Sequence, residues 1–339
     1  MTATNKQILL KSRPKGWVTP DNFELAESPV PAPGDGDVVV RNLFLSVDPY
    51  MRGRMNDRKS YVPPFQIGQP LMGGAVGQVA TSENQNFKAG QIVSGMLGWE
   101  QYTLVKDGAG LMAIPPADVP LSWFLGVLGM PGMTAYVGLL DIGKPKSGET
   151  VYVSAASGAV GQIVGQIAKL KGCHVVGSAG DDAKVDWLTK EAGYDSAFNY
   201  KTVGSLDDAL AERCPKGVDI YFENVGGAML DAALNAMNPK GRIVTCGMIS
   251  QYNLEQPEGV KNLFHIIGKR LTMQGYIVSD HFDRLPAFIQ EMSGWLAEGK
   301  VRYREDVSDG IETAPAAFIG MLKGENFGKQ VVKIAEREG

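Results

Sequence analysis

The chain is predicted to be an α/β protein in which a doubly wound parallel sheet is inserted into a mainly β domain. Three observations carry that expectation. The run VYVSAASGAVGQIVGQIAK at 151–169 joins an apolar strand to a small-residue turn and then to a helix with an apolar stripe. Apolar strand-like runs alternate with helix-spaced segments as far as residue 277, the pattern of parallel strands joined by crossovers. Residues 1 to about 120 instead hold turn clusters and short β-like runs, and roughly the last 35 residues resemble them in composition. The expected division is 1–125 plus 300–339 for the β domain and 126–299 for the inserted one.

Taken in order, FELAESPVPAPGDGDVVVRNLFLSVDPY at 23–50 places a Pro/Gly/Asp turn cluster before apolar segments. GGAVGQVATS, AGQIVSGM and EQYTLVKDGAGLMAIP continue in the same manner, with glycines marking bends or bulges. Between 121 and 150, Trp123, Leu125 and Leu128, then Met133, Tyr136, Leu139 and Leu140, predict two apolar helices broken at Met130–Pro131–Gly132. Strands are expected at 150–154, 173–177, around 197–199, 218–222, 241–246 and 271–277, with helices at 183–193 and 227–239 between them. A helix at 284–300 and a strand at 328–336 complete the chain.

The turn after the first of the six strands holds Ser154, Ala155, Ala156, Ser157, Gly158, Ala159, Val160 and Gly161. Small side chains let the backbone approach a pyrophosphate, and the next helix offers its amides to the anion. Gly158 and Gly161 keep the last two glycines of GxGxxG, with Ala155 or Ala156 in the region of the first; a tight corner without ligand is the alternative. The second strand ends in Gly177, Ser178, Ala179 and Gly180 rather than the acidic residue of an NAD site, and Lys184 follows one helical turn on. A carboxylate repels a 2′-phosphate and a cation accepts one, which points to NADPH, Lys184 as a solvated lysine being the bland reading. Asp181 and Asp182 fit the first turn of the following helix.

Bulk properties narrow the classes. With 339 residues the chain is long enough for two domains, and 33 basic against 37 acidic residues imply no basic field for nucleic acid. The cysteines, Cys173, Cys214 and Cys246, are few and widely spaced, which fits buried small side chains in a reducing cytoplasm. No run approaches 18 apolar residues and the amino terminus lacks a signal-peptide core, so no membrane association is expected. The histidines, His174, His265 and His281, lie far apart, and neither they nor the cysteines have zinc-ligand spacing. No nucleophile elbow is present. Polar groups of FENVGG and CGMISQYN, among them Glu223, Asn224, Tyr252 and Asn253, follow the fourth and fifth strands, where ligands of such sheets bind.

LSVDPYMRGRM, GMTAYVGLL, AASGAVGQIVGQIAKLKGCHVVGSAG, FNYKT, FENVGG, GRIVTCGMISQYN and GENFGKQVVKI together resemble the zinc-free medium-chain dehydrogenase/reductases. The likeness is closest to their double-bond reductases, the prostaglandin, plant alkenal and bacterial curcumin-reductase-like group, and spans essentially the full length. It implies a Rossmann sheet inserted into a GroES-like catalytic domain, NADPH dependence without metal, and a homodimer joined through the nucleotide domains. By the same resemblance, Ala155 to Gly161 pass around the pyrophosphate, and Gly180, Lys184 and Tyr200 line the 2′-phosphate side. Met133 and Thr134 lie near the nicotinamide ribose and carboxamide, Asn224 near the nicotinamide, and Asn326 reaches the cofactor from the returning segment. Tyr50 and Met133 belong to the substrate cleft, and Tyr252 matches a tyrosine near the substrate carbonyl. The implied substrate is a small, apolar conjugated ketone or aldehyde. Quinone reduction by the same NADPH site and a noncatalytic NADPH-binding protein are the competing readings.

Overall fold

Short β runs broken by Pro and Gly need partners to be stable, and the amino-terminal segment finds them in two sheets. The computed structural model describes residues 4–116 and 118–338, and the chain divides into two units, Met1–Gly126 with Glu305–Gly339, and Val127–Arg304. In the first unit, β1 (Thr4–Leu10) pairs antiparallel with β2 (Phe23–Pro29). β3 (Val38–Ser46) leads through Val47–Asp48–Pro49 into the short helix α1 (Tyr50–Arg54). β4 (Met72–Ser82), β5 (Ile92–Gly98), β6 (Tyr102–Val105) and β7 (Met112–Ala113) follow. β4 carries Gly73 where a Cβ would overlap the Met51 methyl, so the missing side chain lets α1 pack onto the sheet.

The second unit opens on α2 (Met130–Val137) and alternates β8 (Thr150–Val153), α3 (Gly161–Leu170), β9 (His174–Ala179), α4 (Asp182–Lys190), β10 (Ser196–Asn199) and α5 (Leu206–Arg213). It continues with β11 (Val218–Glu223), α6 (Gly227–Ala236), β12 (Met237–Thr245), α7 (His265–Gly268), β13 (Thr272–Gly275) and α8 (Leu285–Ala297). All six strands are parallel, in the order β10-β9-β8-β11-β12-β13. The order reverses between β8 and β11, which makes the ends of those two strands the switch point of a doubly wound sheet. Tyr152, Val176, Tyr221 and Ile243 from four adjacent strands are buried in one core with Leu210, Leu230 and Leu234 from the flanking helices. Strands covered on both faces read as unbroken apolar runs, as β8 does.

The returning segment completes the first unit with β14 (Glu305–Asp309), α9 (Ala314–Lys323) and β15 (Lys329–Lys333). The larger sheet there runs β14-β15-β3-β4-β5-β7, with β6 also paired to β3. Only β14 and β15 run parallel; the other pairs are antiparallel. The protein is thus an α/β chain with a Rossmann sheet and a GroES-like, mainly β unit. No helix among the described residues is long and apolar enough to cross a membrane.

Two local expectations differ from the structure. Leu121–Leu125 forms a short 3-10 turn rather than a full helix, and Pro131 starts α2 instead of breaking it. A first-turn proline has no amide to lose, so Met130–Pro131–Gly132 is a start signal. The helix expected at 227–239 ends at Ala236, and Met237 to Pro239 already belong to β12.

Candidate active site

Small residues between β8 and α3 produce a tight turn at the switch point. Ala155 takes a left-handed conformation with φ of 47°, and Gly158 donates its amide to the Ala155 carbonyl at 3.0 Å. The Ala156 amide donates to the Ser178 carbonyl at 2.9 Å, tying the turn to β9. Ala156 and Ser157 are buried, whereas Gly158, Ala159 and Val160 are half-buried along the rim. Val160 precedes the helix, Gly161 is its first residue, and no side chain caps it. Ten residues of helix with an uncapped start form a cradle that suits a pyrophosphate.

The end of β9 forms the adjoining wall. Asp181 is the cap of α4 and accepts the Ala183 amide at 2.8 Å, so its carboxylate serves the helix start. Lys184 lies in the first turn of α4 and is buried. The Tyr200 amide donates to the Ala179 carbonyl at 3.0 Å, and a Cβ on Gly180 would lie 2.9 Å from the Tyr200 hydroxyl. Gly180 and Tyr200 are therefore direct neighbours, with the Tyr200 ring partly exposed.

Across the switch point, β11 ends in a fully buried Glu223. One of its oxygens accepts the amides of Val225 and Gly226 at 2.6 and 2.9 Å and the Tyr221 hydroxyl at 2.8 Å. Burial pushes this carboxyl above its ordinary range, against the amides that favour its charged form. Asn224 then clamps the two strand ends together. Its side-chain amide donates to the Ser154 carbonyl at 2.7 Å, and its backbone amide to the Ser154 hydroxyl at 3.0 Å.

The loop after β12 is stitched to the same turn. Cys246 and Gly247 donate amides to the Glu223 carbonyl, and Ile249 donates to the Asn224 carbonyl. Half-buried Tyr252 sits at the end of this loop, its hydroxyl accepting the Met248 amide at 3.1 Å. On α2, Met133 and Thr134 are buried, and Thr134 donates its hydroxyl to the Met130 carbonyl at 2.7 Å. Tyr276 donates to the Thr134 carbonyl at 2.7 Å, which fixes this turn of α2. Burial drives the Tyr276 phenol well above its ordinary range and the Cys246 thiol up to about 12, so both remain protonated.

In the first unit, Tyr50 is the first residue of α1 and is half-buried. Asn326 donates its side-chain amide to the Gly328 carbonyl at 2.8 Å, within the turn before β15. The structure therefore brings the phosphate turn, Asn224 and the Tyr252 loop together at one sheet edge. Tyr221 and Tyr276, which help to lock these groups, escaped the sequence reading. Ser154, which the sequence reading placed first in the turn, gains its bonds to Asn224 only from the pairing of β8 with β11. Among the described residues, no group of three or more His, Cys, Asp or Glu side chains is placed to hold a metal ion.

A switch-point cradle of this kind in an inserted parallel sheet defines a dinucleotide-dependent oxidoreductase of the medium-chain type. Comparisons with known proteins agree. Residues 6–114 match the model for the N-terminal domain of oxidoreductase, and residues 159–294 match the zinc-binding dehydrogenase model. The chain is 50% identical to a 2-alkenal reductase (NADP(+)-dependent) of Nicotiana tabacum, covering 98% of each protein. It is 47% identical to the NADPH-dependent curcumin reductase of Escherichia coli, covering 98% of this chain and 97% of that one. The crystal structure of CurA in complex with NADPH from Vibrio vulnificus superposes with a TM-score of 0.93 at 45% identity, covering 98% and 99% of the chains. The protein belongs to the double-bond reductase family of zinc-free medium-chain dehydrogenase/reductases.

Proposed function

We propose that this protein reduces the carbon–carbon double bond of α,β-unsaturated ketones or aldehydes with NADPH and without a metal. The observation that carries the reading is the stitched switch point: the phosphate turn, the Asn224 clamp and the Tyr252 loop are held as one body by Ser154 and Glu223. When bound, NADPH would supply the hydride that reaches the β-carbon of the substrate, and a proton from solvent at the α-carbon completes the saturated carbonyl. Tyr252 donates its phenolic proton as a hydrogen bond to the carbonyl oxygen, where negative charge develops. Accepting the Met248 amide polarises that hydroxyl and strengthens it as a donor. Thr134 and Asn224 hold the nicotinamide end, Asn326 contacts the cofactor, and Tyr50 and Met133 belong to the substrate cleft. Val127–Arg304 is the dinucleotide-binding domain in this reading.

The assay follows NADPH oxidation with 4-phenyl-3-buten-2-one and identifies the product by mass spectrometry. A saturated ketone is expected; turnover confined to quinones, or none with either class, overturns the reading. Gly180, Lys184 and Tyr200 receive the 2′-phosphate. Lys184→Ala is expected to raise the KM for NADPH at least about tenfold and leave that for NADH unchanged, because a charge-assisted phosphate contact contributes about 1.5–3 kcal/mol. Equal effects on both cofactors would remove Lys184 from that role.

The active form is a homodimer of the cytoplasm. β13 lies at one edge of the parallel sheet, and the segment leading to it exposes Leu263, Phe264 and Ile267, the last 83% exposed. An open sheet edge beside apolar surface is suited to a second copy. Ile267→Asp is expected to yield monomers by light scattering, and an unchanged mass would exclude this edge. Three free cysteines, two of them buried, suit a reducing compartment.

A further inference from the structure

Lys329 is fully buried at the start of β15, and among the described residues its ion-pair partner is Asp48, at 3.1 Å. Its other contacts are the carbonyls of Val47 and Gln330 at 2.8 and 2.7 Å, so all three ammonium protons have acceptors. Asp48 is itself buried, and its second oxygen receives the Ser46 hydroxyl. Such a pair is an expensive way to fill a core, since desolvating two charges often costs more than their attraction returns. Apolar residues of the same volume would serve packing equally well. Its location explains why charge is used here.

Val47 and Asp48 form the link between β3 and α1, whose first residue is Tyr50. The Asp48 carbonyl accepts the Met51 amide at 3.2 Å, and the Pro49 carbonyl accepts that of Arg52 at 3.1 Å. A helix of five residues cannot hold its own orientation, so the segment that starts it must. β15 pairs with β3 through Val331 and Ser46, which brings Lys329 alongside Asp48 and lets one ammonium grip the link from the neighbouring strand. Burial and the Asp48 charge together push the Tyr50 phenol above its ordinary range, keeping its hydroxyl a donor. We propose that the Asp48–Lys329 pair positions Tyr50, making Lys329 a positioning residue for binding the conjugated carbonyl substrate. This rests on the reading of Tyr50 as part of the substrate cleft.

The test is a double-mutant cycle read with 4-phenyl-3-buten-2-one and NADPH. Asp48→Asn with Lys329→Met removes both charges together and leaves neither stranded. This double variant is expected to keep the NADPH KM within about twofold and to raise the enone KM about tenfold. In a Tyr50→Phe background the same pair of changes is expected to add nothing further. An unchanged enone KM, or an effect that adds in full to Tyr50→Phe, overturns the proposal. If Tyr50→Phe alone leaves the enone KM at the wild-type value, the cleft reading of Tyr50 falls, and the proposal falls with it for that separate reason. Should the neutral pair fail to fold, Lys329→Arg keeps the charge but moves its donors. It is expected to raise the enone KM with the NADPH KM and thermal midpoint unchanged, and an unchanged enone KM again overturns the proposal.

Discussion

Gly161→Ala is expected to weaken NADPH binding by on the order of 100-fold, while Gly158→Ala costs much less. The difference lies in what each new methyl meets. At Gly161 it would overlap the Ala155 carbonyl oxygen and sit 2.8 and 2.9 Å from the Ala156 Cα and carbonyl oxygen. All three are backbone atoms of the phosphate turn, so no side chain can rotate away and the turn itself must move. Losing one or two hydrogen bonds to a charged phosphate, each about 1.5–3 kcal/mol, corresponds to roughly 10- to 10⁴-fold in affinity. At Gly158 the nearest atom is the Ala155 oxygen at 3.2 Å, which a shift of a few tenths of an ångström accommodates. Titrating NADPH by fluorescence against both variants separates them. Wild-type affinity in Gly161→Ala would remove the pyrophosphate from this turn. Ala155 adds a related strain, since its φ of 47° is where alanine is disfavoured.

The six parallel strands were legible because burial on both faces demands unbroken apolar runs, and VYV, HVVG and DIYF announce this without reference to anything distant. The phosphate turn was legible for an equally local reason: close backbone approach requires small residues in succession. Element ends were less so. Met130–Pro131–Gly132 reads as a breaker by composition, yet the amide that proline lacks has no partner in a first helical turn. The least legible features join distant parts of the chain. Lys329 and Asp48 look like two ordinary charges, and only the pairing of β15 with β3 makes them neighbours. Ser154 and Asn224 meet because β8 and β11 are adjacent in the sheet, although three helices and two strands separate them in sequence.

Tyr252→Phe is expected to slow hydride transfer about 100-fold while NADPH binds as before. Removing one donor aimed at a developing oxyanion typically costs 10²–10³ in rate, because such a donor acts fully only once charge has formed. Here the donor is fixed in advance: its loop is bonded to Glu223 and Asn224 through the amides of Gly247 and Ile249, and its oxygen accepts the Met248 amide. The bonds that hold the phosphate turn, from Asn224 to Ser154 and from Ala156 to Ser178, do not involve the Tyr252 hydroxyl, so its removal leaves them in place. Binding and chemistry should therefore separate. Single-turnover mixing of the enzyme–NADPH complex with saturating enone isolates the chemical step from product release. A rate equal to wild type would show that another hydroxyl carries the oxyanion. A fall matched by a comparable loss of NADPH affinity would show that the ring supports the loop and that the donor lies elsewhere. A rate loss at unchanged affinity is the outcome that assigns the developing charge to Tyr252.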